Sequence, residues 1–67
     1  MAGYKKLGGR IKSLRNEKHL TQEKLAELAG IDPKSIIQIE AGKRNPTFKT
    51  LSKIGLALKV TMSELLN

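Results

Sequence analysis

Apolar residues recur at helical spacing along most of the chain. Near the N-terminus they stand at Leu7, Ile11 and Leu14, four and three residues apart, which predicts a helix from about Leu7 to Lys18. The same spacing returns in each later segment, and no stretch alternates apolar and polar residues as a half-buried strand does. The pattern therefore predicts an all-α domain of five helices.

The starts of the later helices share a local signal. At each start, a residue whose side-chain oxygen can accept a hydrogen bond from an unpaired N–H group stands between two apolar residues. One apolar residue comes directly before it, and the other comes four positions after it. Thr21, Asp32 and Thr61 satisfy this pattern, and Thr47 opens the remaining helix after Pro46. We therefore assign these four polar residues as the N-caps of helices two to five.

The second and third helices are joined by a tight corner. Gly30 can adopt the left-handed conformation that ends a helix, and Pro33 at the first helical position gives up no bond it would have made. The small Ala26 lets the two helices cross closely. The inward-facing residues on either side of the corner are Leu25, Ala26, Ala29, Ile36 and Ile39. These features predict a helix-turn-helix motif between Gln22 and Ala41.

The rest of the chain supports this motif. Residues 1–6 carry no apolar pattern and are expected to form a flexible N-terminal arm, whereas residues 7–67 form a single helix-turn-helix domain. Gly8 and Gly9 should weaken the first turn of the first helix. The fourth helix should direct four residues inward: Phe48, Leu51, Ile54 and Leu58.

The composition argues against catalysis and metal binding. The chain has no cysteine and one histidine, His19, which stands where the first helix should end and is interpreted as a cap. We expect no enzyme, no metal site and no cofactor, because no nucleophile can be paired with a base. No apolar run approaches the ~20 residues of a membrane span, so we expect a cytoplasmic protein with no membrane contact.

The positive charge lies at the two ends of the chain. Thirteen basic and six acidic residues give +7 in all. Residues 1–18 hold six bases and one acid (+5), residues 19–41 two bases and four acids (−2), and residues 42–67 five bases and one acid (+4). Such flanks around a nearly neutral motif are expected if the flanks bind phosphates and the motif reads bases. The alternative is a soluble domain that is basic for another reason.

A set of short elements, in order along the chain, gives a family resemblance. The elements are Leu7-Gly8, Arg10-Ile11, Leu14-Arg15, Leu20-Thr21-Gln22, Leu25-Ala26, Gly30-Ile31, Ser35-Ile36, Ile39-Glu40, Gly42-Lys43-Arg44-Asn45-Pro46-Thr47 and Leu51. Together they resemble the Cro and phage-repressor family of helix-turn-helix DNA-binding domains, also called the xenobiotic-response-element type. The resemblance covers residues 7–66. It implies a compact five-helix, lambda-repressor-like domain whose third helix lies in the major groove of double-stranded DNA.

The resemblance also implies an ion pair between Arg15 and Glu40 that braces the first helix against the third. The helical pattern supports the pair, because Glu40 lies about 70° from the centre of the Ile36 and Ile39 face and Arg15 a similar angle from its own apolar stripe. A carboxylate at the border of a core needs a partner. The alternative is two solvated surface charges.

The outer face of the third helix supplies the candidate base-reading residues. Lys34, Gln38 and Ala41 lie opposite the apolar face, with Ile37 on its shoulder. Gln38 can pair with adenine, Lys34 with guanine or a phosphate, and Ile37 can contact a thymine methyl, unless it belongs to a wider buried face. At the start of the third helix, this chain has Pro33 where the family has a polar residue. Proline cannot hydrogen-bond a base, so any recognition of DNA sequence at that position is steric or apolar.

Two segments are candidates for phosphate contact. The first is the start of the second helix, where Thr21, Gln22 and the free N–H groups form an anion site. The second is the loop after the third helix, where Lys43, Arg44 and Asn45 should contact the other side of the groove. The alternative for the loop is a set of ordinary solvated turn residues.

The last helix has more apolar residues than so short a helix must bury. They are Val60, Met62, Leu65 and Leu66. The surplus either forms a contact between two copies, as expected for a protein that pairs on two half-sites of a palindromic operator, or covers the core of its own chain.

The function favoured by these observations is sequence-specific binding of double-stranded DNA by a small repressor or autoregulator of transcription. One alternative is an antitoxin-like or other protein-interaction module that binds a protein partner and contacts DNA only secondarily. Another is binding of nucleic acid without sequence preference, which the near absence of aromatic residues disfavours for single strands.

Overall fold

The structure, a computed structural model, describes residues 3–67, and within that range it contains helices and the loops between them but no strand. Its five helices are α1 (Gly3–Glu17), α2 (Gln22–Ala29), α3 (Pro33–Glu40), α4 (Phe48–Leu58) and α5 (Met62–Leu66). α1 packs against α3 and α5, and α2 packs against α3 and α4. The predicted all-α, five-helix architecture is confirmed.

The corner between α2 and α3 has the predicted local geometry. Gly30 has φ 70° and ψ 36°, in the left-handed region, and its N–H group donates to carbonyl oxygens of the last turn of α2. The next N–H, of Ile31, donates to the carbonyl of Ala26 at 3.0 Å. Asp32 then caps α3 by accepting a bond from the N–H of Lys34 at 3.0 Å. These bonds fix the angle between the two helices.

The other helix starts are capped as the sequence predicts. The Thr21 hydroxyl accepts a bond from the Lys24 N–H, and Thr47 and Thr61 act in the same way for α4 and α5. At the end of α1, His19 has φ 58°, the left-handed conformation that glycine adopts more easily. This conformation just after α1 agrees with the interpretation of His19 as the cap of that helix.

The first helix begins earlier than the sequence predicts. α1 starts at Gly3, so the predicted start near Leu7 is wrong, and residues 3–6 are helical rather than a flexible arm. Met1 and Ala2, the rest of that predicted arm, lie outside the described residues. The physical reason is tertiary: the backbone of Lys5 lies so close to Gly42 that a Cβ added there would be 2.9 Å from the Lys5 Cα. Packing, not local propensity, supports this first turn.

One core joins all five helices. Seven of its side chains are almost fully buried: Ile11, Leu25, Ile36, Ile39, Ile54, Leu58 and Leu65. Phe48 does not join them, because it is 73% exposed, and its predicted inward orientation is wrong. On α4 it lies about 90° from the centre of the face formed by the other inward residues, and it stands in the first turn, at the edge of the core.

Candidate nucleic-acid interface

The residues predicted to read bases lie together on the outer face of α3. Lys34 is exposed, Ile37 is 49% exposed and Gln38 is partly buried. Their spacing of three and four residues makes them neighbours on one helical face. Pro33, at the first position of α3, is exposed beside them. The exposure of Ile37 argues against its assignment to a wider buried face.

The opposite flank of α3 ends in a buried polar network. Glu40 accepts two bonds from Arg15, at 2.7 Å from Nε and 3.1 Å from Nη2, and the two side chains are only 3% and 10% exposed. Arg15 Nη1 also donates to the carbonyl of Leu20 at 2.6 Å. The predicted ion pair is therefore present. It ties together α1, the segment before α2 and the last residue of α3.

Gln22 joins this network, which the sequence did not indicate. Its Nε2 donates to Glu40 Oε1 at 3.0 Å, so the carboxylate receives three hydrogen bonds. Among residues 3–67 no buried side-chain nitrogen or oxygen lacks a partner. The Gln22 amide has a second N–H left for a ligand, and the first N–H groups of α2 have no partner within the helix. The start of α2 is thus oriented by the end of α3.

The loop from 41 to 47 contacts α3 on its other flank. Arg44 Nη1 donates to the hydroxyl oxygen of Ser35 at 2.6 Å, so the exposed guanidinium lies against the first turn of α3. Lys43 and Asn45 are exposed beside it. Ser35 is a functional candidate that the sequence did not indicate, because the contact depends on the path of the loop. The contact links Arg44 to α3, and the Arg44 side chain remains exposed to solvent.

The geometry of α3 relates these contacts to one another. At 100° per residue, the centre of the Lys34, Ile37 and Gln38 face lies about 180° from the buried face. Ser35 lies about 110° from that centre on one side and Glu40 about 110° on the other. Each flank of the outer face therefore leads to a segment predicted to bind phosphate. Exposed basic side chains lie on the Ser35 flank, whereas on the Glu40 flank the buried carboxylate is paired with Arg15.

The apolar residues of α5 do not form one surface. Leu65 is 1% exposed and belongs to the core of its own chain, so its predicted role in contact between copies is wrong. Leu66 is 61% exposed and lines a groove with Tyr4 and Leu7 of α1. Val60 and Met62 instead line a separate shallow depression between α4 and α5.

That depression defines a second apolar surface, which we call the α4–α5 face. It consists of Phe48, Leu56, Val60 and Met62. Leu56 is 80% exposed, and with Phe48 it is among the most exposed large apolar residues of the described chain. The two residues are eight positions apart on the outward side of α4. The sequence prediction for α4 named only inward-facing residues, and Leu56 is not among them, so this exposed face was not predicted.

The start of α5 is polar. Glu64 and Thr61 form a capping box, in which the Thr61 N–H donates to Glu64 Oε1 at 2.8 Å and the Glu64 N–H to the Thr61 hydroxyl at 3.1 Å. The hydrogen bond from the Thr61 backbone lowers the pKa of Glu64 below its ordinary value. Arg10 Nε donates to the Glu64 carbonyl at 3.0 Å. These contacts attach α5 to α1.

Two kinds of arrangement are absent from the described residues. Residues 3–67 contain no group of three or more histidine, aspartate or glutamate side chains placed to hold a metal ion. Within the same range, no helix has the length and apolarity needed to cross a membrane.

Known proteins resemble this chain over most of its length. A family model described as Helix-turn-helix, HTH_3, matches residues 11–65. The ImmF control region 10 kDa protein of Bacillus phage phi105 is 39% identical over 65 residues, which is 97% of this chain and 72% of the phage protein. Control protein C.MunI from a Mycoplasma species is 41% identical over 61 residues, 90% of this chain and 82% of that protein.

One solved structure is similar to this chain in both fold and sequence. The restriction-modification controller protein C.AhdI from Aeromonas hydrophila superposes with a TM-score of 0.94 at 37% identity, covering 97% of this chain and 98% of that protein.

Proposed function

Because this chain belongs to the HTH_3 helix-turn-helix family of DNA-binding transcription regulators, we propose that it is a small repressor or autoregulator that reads a double-stranded operator through the outer face of α3. The names of its relatives, a phage control-region protein, a control protein and a restriction-modification controller protein, support a role in control of transcription. A protein of this kind acts in the cytoplasm.

The observation that carries the proposal is the arrangement around α3. Its outer face presents exposed side chains, and contacts at 3.0 Å and 2.6 Å link its two flanks to the start of α2 and to the loop from 41 to 47. Phosphate contacts on both sides of a helix fix its register and tilt in the major groove, whereas the face between them reads bases. Gln22 and Arg44 belong to the proposed phosphate-binding segments and also hydrogen-bond to α3, so they link phosphate binding to the position of the reading helix.

Each proposed contact follows from side-chain chemistry. Gln38 can donate to and accept from adenine, Lys34 can donate to guanine N7 or O6, and Ile37 can contact a thymine methyl. Pro33 contributes shape only. For phosphates, the proposed donors are the N–H groups of the first turn of α2 and the side chains of Thr21, Gln22, Lys43, Arg44 and Asn45.

We further propose that two copies bind one palindromic operator. A single α3 covers only part of one groove, and two half-sites about 34 Å apart would place two such helices on one side of the duplex. The α4–α5 face, with Phe48 and Leu56 largely exposed, is the proposed contact between copies. This proposed contact keeps Val60 and Met62 from the residues predicted from sequence and replaces Leu65 and Leu66 with Phe48 and Leu56.

The experiment that tests the proposal is selection of bound duplexes from a random pool. We expect enrichment of a palindrome whose half-sites are one helical turn apart, because each copy would read one half. Enrichment of a single half-site would remove the paired arrangement but leave the reading function. Failure to enrich any sequence would contradict sequence-specific binding.

The alternative of a protein-interaction module rests on the same α4–α5 face, which a partner protein could also cover. A Leu56→Glu variant separates the two functions, because residue 56 lies on that face and not on α3. If the chain is a regulator, Leu56→Glu should weaken pairing on the palindrome while an isolated half-site is bound as before. Unchanged binding to both DNA fragments would remove the α4–α5 face from pairing and favour the interaction module.

A further inference from the structure

The first turn of α1 adds two basic residues to the surface beside the loop from 41 to 47. Lys5 and Lys6 are exposed, and the first turn of α1 contains no acidic residue. Lys5 lies directly on Gly42: a Cβ at Gly42 would be 2.8 Å from the Lys5 Cγ and 2.9 Å from its Cα. The residue that follows Gly42 is Lys43, the first of the proposed phosphate contacts.

The position of Gly42 explains why this arrangement is fixed. Gly42 has φ 75°, which side-chain-bearing residues rarely adopt, and its missing Cβ leaves the space that the Lys5 backbone occupies. The methylene stem of Lys5 thus rests on the loop backbone while its ammonium group stays in solvent. Lys6 lines a groove that also contains Tyr4 and Asn45. Both lysines therefore belong to the folded surface, next to the loop, rather than to a loose tail.

We infer that Lys5 and Lys6 contact the DNA backbone and extend the phosphate-binding surface from Lys43 and Arg44 onto α1. This inference rests on the proposed DNA-binding function. The ligand chemistry is the phosphodiester backbone of duplex DNA, because exposed lysines on this strip offer point charges without the planar donor and acceptor pattern that base edges require. These lysines add affinity for any duplex and no sequence preference.

The test compares two double variants of equal charge. Lys5→Gln/Lys6→Gln removes the strip, and Lys18→Gln/Lys59→Gln removes two exposed lysines that directly follow α1 and α4, at the ends of those helices away from the loop. Affinity is measured against salt on the selected duplex and on a scrambled one. We expect the slope of log affinity against log salt to fall by about 1 to 2 for the first variant on both duplexes, and by less for the control.

A third variant, Lys5→Arg/Lys6→Arg, keeps the charge and should retain the parental slope, and melting curves check that all variants fold. Equal slopes for the two glutamine variants would overturn the inference, as would an arginine variant that loses as much slope as Lys5→Gln/Lys6→Gln. Absence of duplex binding by the unmodified chain would instead overturn the proposed function. The two failures are therefore distinguishable.

Discussion

The two faces of α3 belong to one eight-residue helix but are built in different ways. On the inner face Ile36 and Ile39 are almost fully buried, and the Glu40 carboxylate accepts three hydrogen bonds from Arg15 and Gln22. On the outer face the side chains are free to accept a ligand. One side of α3 thus orients the helix and the other side is proposed to recognise DNA, so substitutions on the two faces should change different quantities: unfolding free energy on the inner face and base discrimination on the outer face.

The largest effect is expected at Glu40. Glu40→Ala would leave the Arg15 guanidinium buried with only the Leu20 carbonyl as an acceptor, which should cost about 3 to 5 kcal/mol of unfolding free energy. That is a large part of the stability of a domain of this size. The measurement is urea unfolding followed by circular dichroism.

Replacement of both charges provides the control for Glu40→Ala. Arg15→Met/Glu40→Leu removes the pair without stranding either member, so it should destabilise less than Glu40→Ala alone. An unfolding free energy of Glu40→Ala within about 1 kcal/mol of the parental value would show that the stability of the inner face does not depend on this network. The proposed difference between the two faces of α3 would then be wrong.

Two adjacent glycines test how tightly α1 approaches the inner side of α3. A Cβ on Gly8 would overlap the carbonyl oxygen of Ile39 and meet that of Glu40 at 2.9 Å, whereas a Cβ on Gly9 would meet nothing within 4 Å. Gly8→Ala should therefore destabilise by about 1 to 3 kcal/mol. Gly9→Ala should stabilise by about 0.5 to 1 kcal/mol, because alanine favours the helix.

Thermal melting of the two glycine variants gives the comparison directly, since the same chemical change is made at neighbouring positions. A difference of 1 kcal/mol corresponds to a shift in Tm of about 4 to 8 °C in a domain of this size. Shifts of the same sign and size would show that α1 does not lie close to the end of α3.

Local signals explain how much of the fold could be predicted from the sequence. The N-caps at Thr21 and Asp32 and the corner at Gly30 depend on residues within one turn, and these predictions are confirmed. The pair between Arg15 and Glu40, present in the structure, was implied by the family resemblance, and the angular position of each residue beside the core supported it.

Contacts between distant segments explain the errors. The helical state of residues 3–6 depends on the position of Gly42, and the role of Gly8 depends on how closely the end of α3 approaches; helix propensity alone favours neither. For the candidate site, the bonds of Gln22 to Glu40 and of Arg44 to Ser35 join residues 18 and 9 positions apart. No spacing rule within a helix indicates such pairs.

On the outer face the expected change is in recognition. Gln38→Ala should lower discrimination at one base-pair position by about 1 to 3 kcal/mol, the contribution of a good bidentate contact. Unfolding free energy should change by less than ~0.5 kcal/mol, as at other surface sites. Competition binding with single-position variants of the selected duplex measures the first quantity. Equal loss of affinity on operator and random DNA would show that Gln38 reads no base.

The smallest effect is expected at the boundary between the two faces, where Ser35 accepts the bond from Arg44. Ser35→Ala frees the guanidinium without removing its charge, so affinity for every duplex should fall a few-fold while base preference stays unchanged. Because the contact is exposed, unfolding free energy should change by less than ~0.5 kcal/mol. Ser35→Thr keeps the hydroxyl and should bind like the parent. A change in base preference in Ser35→Ala would mean that Arg44 belongs to the reading face, and the division of α3 would have to be redrawn to include it.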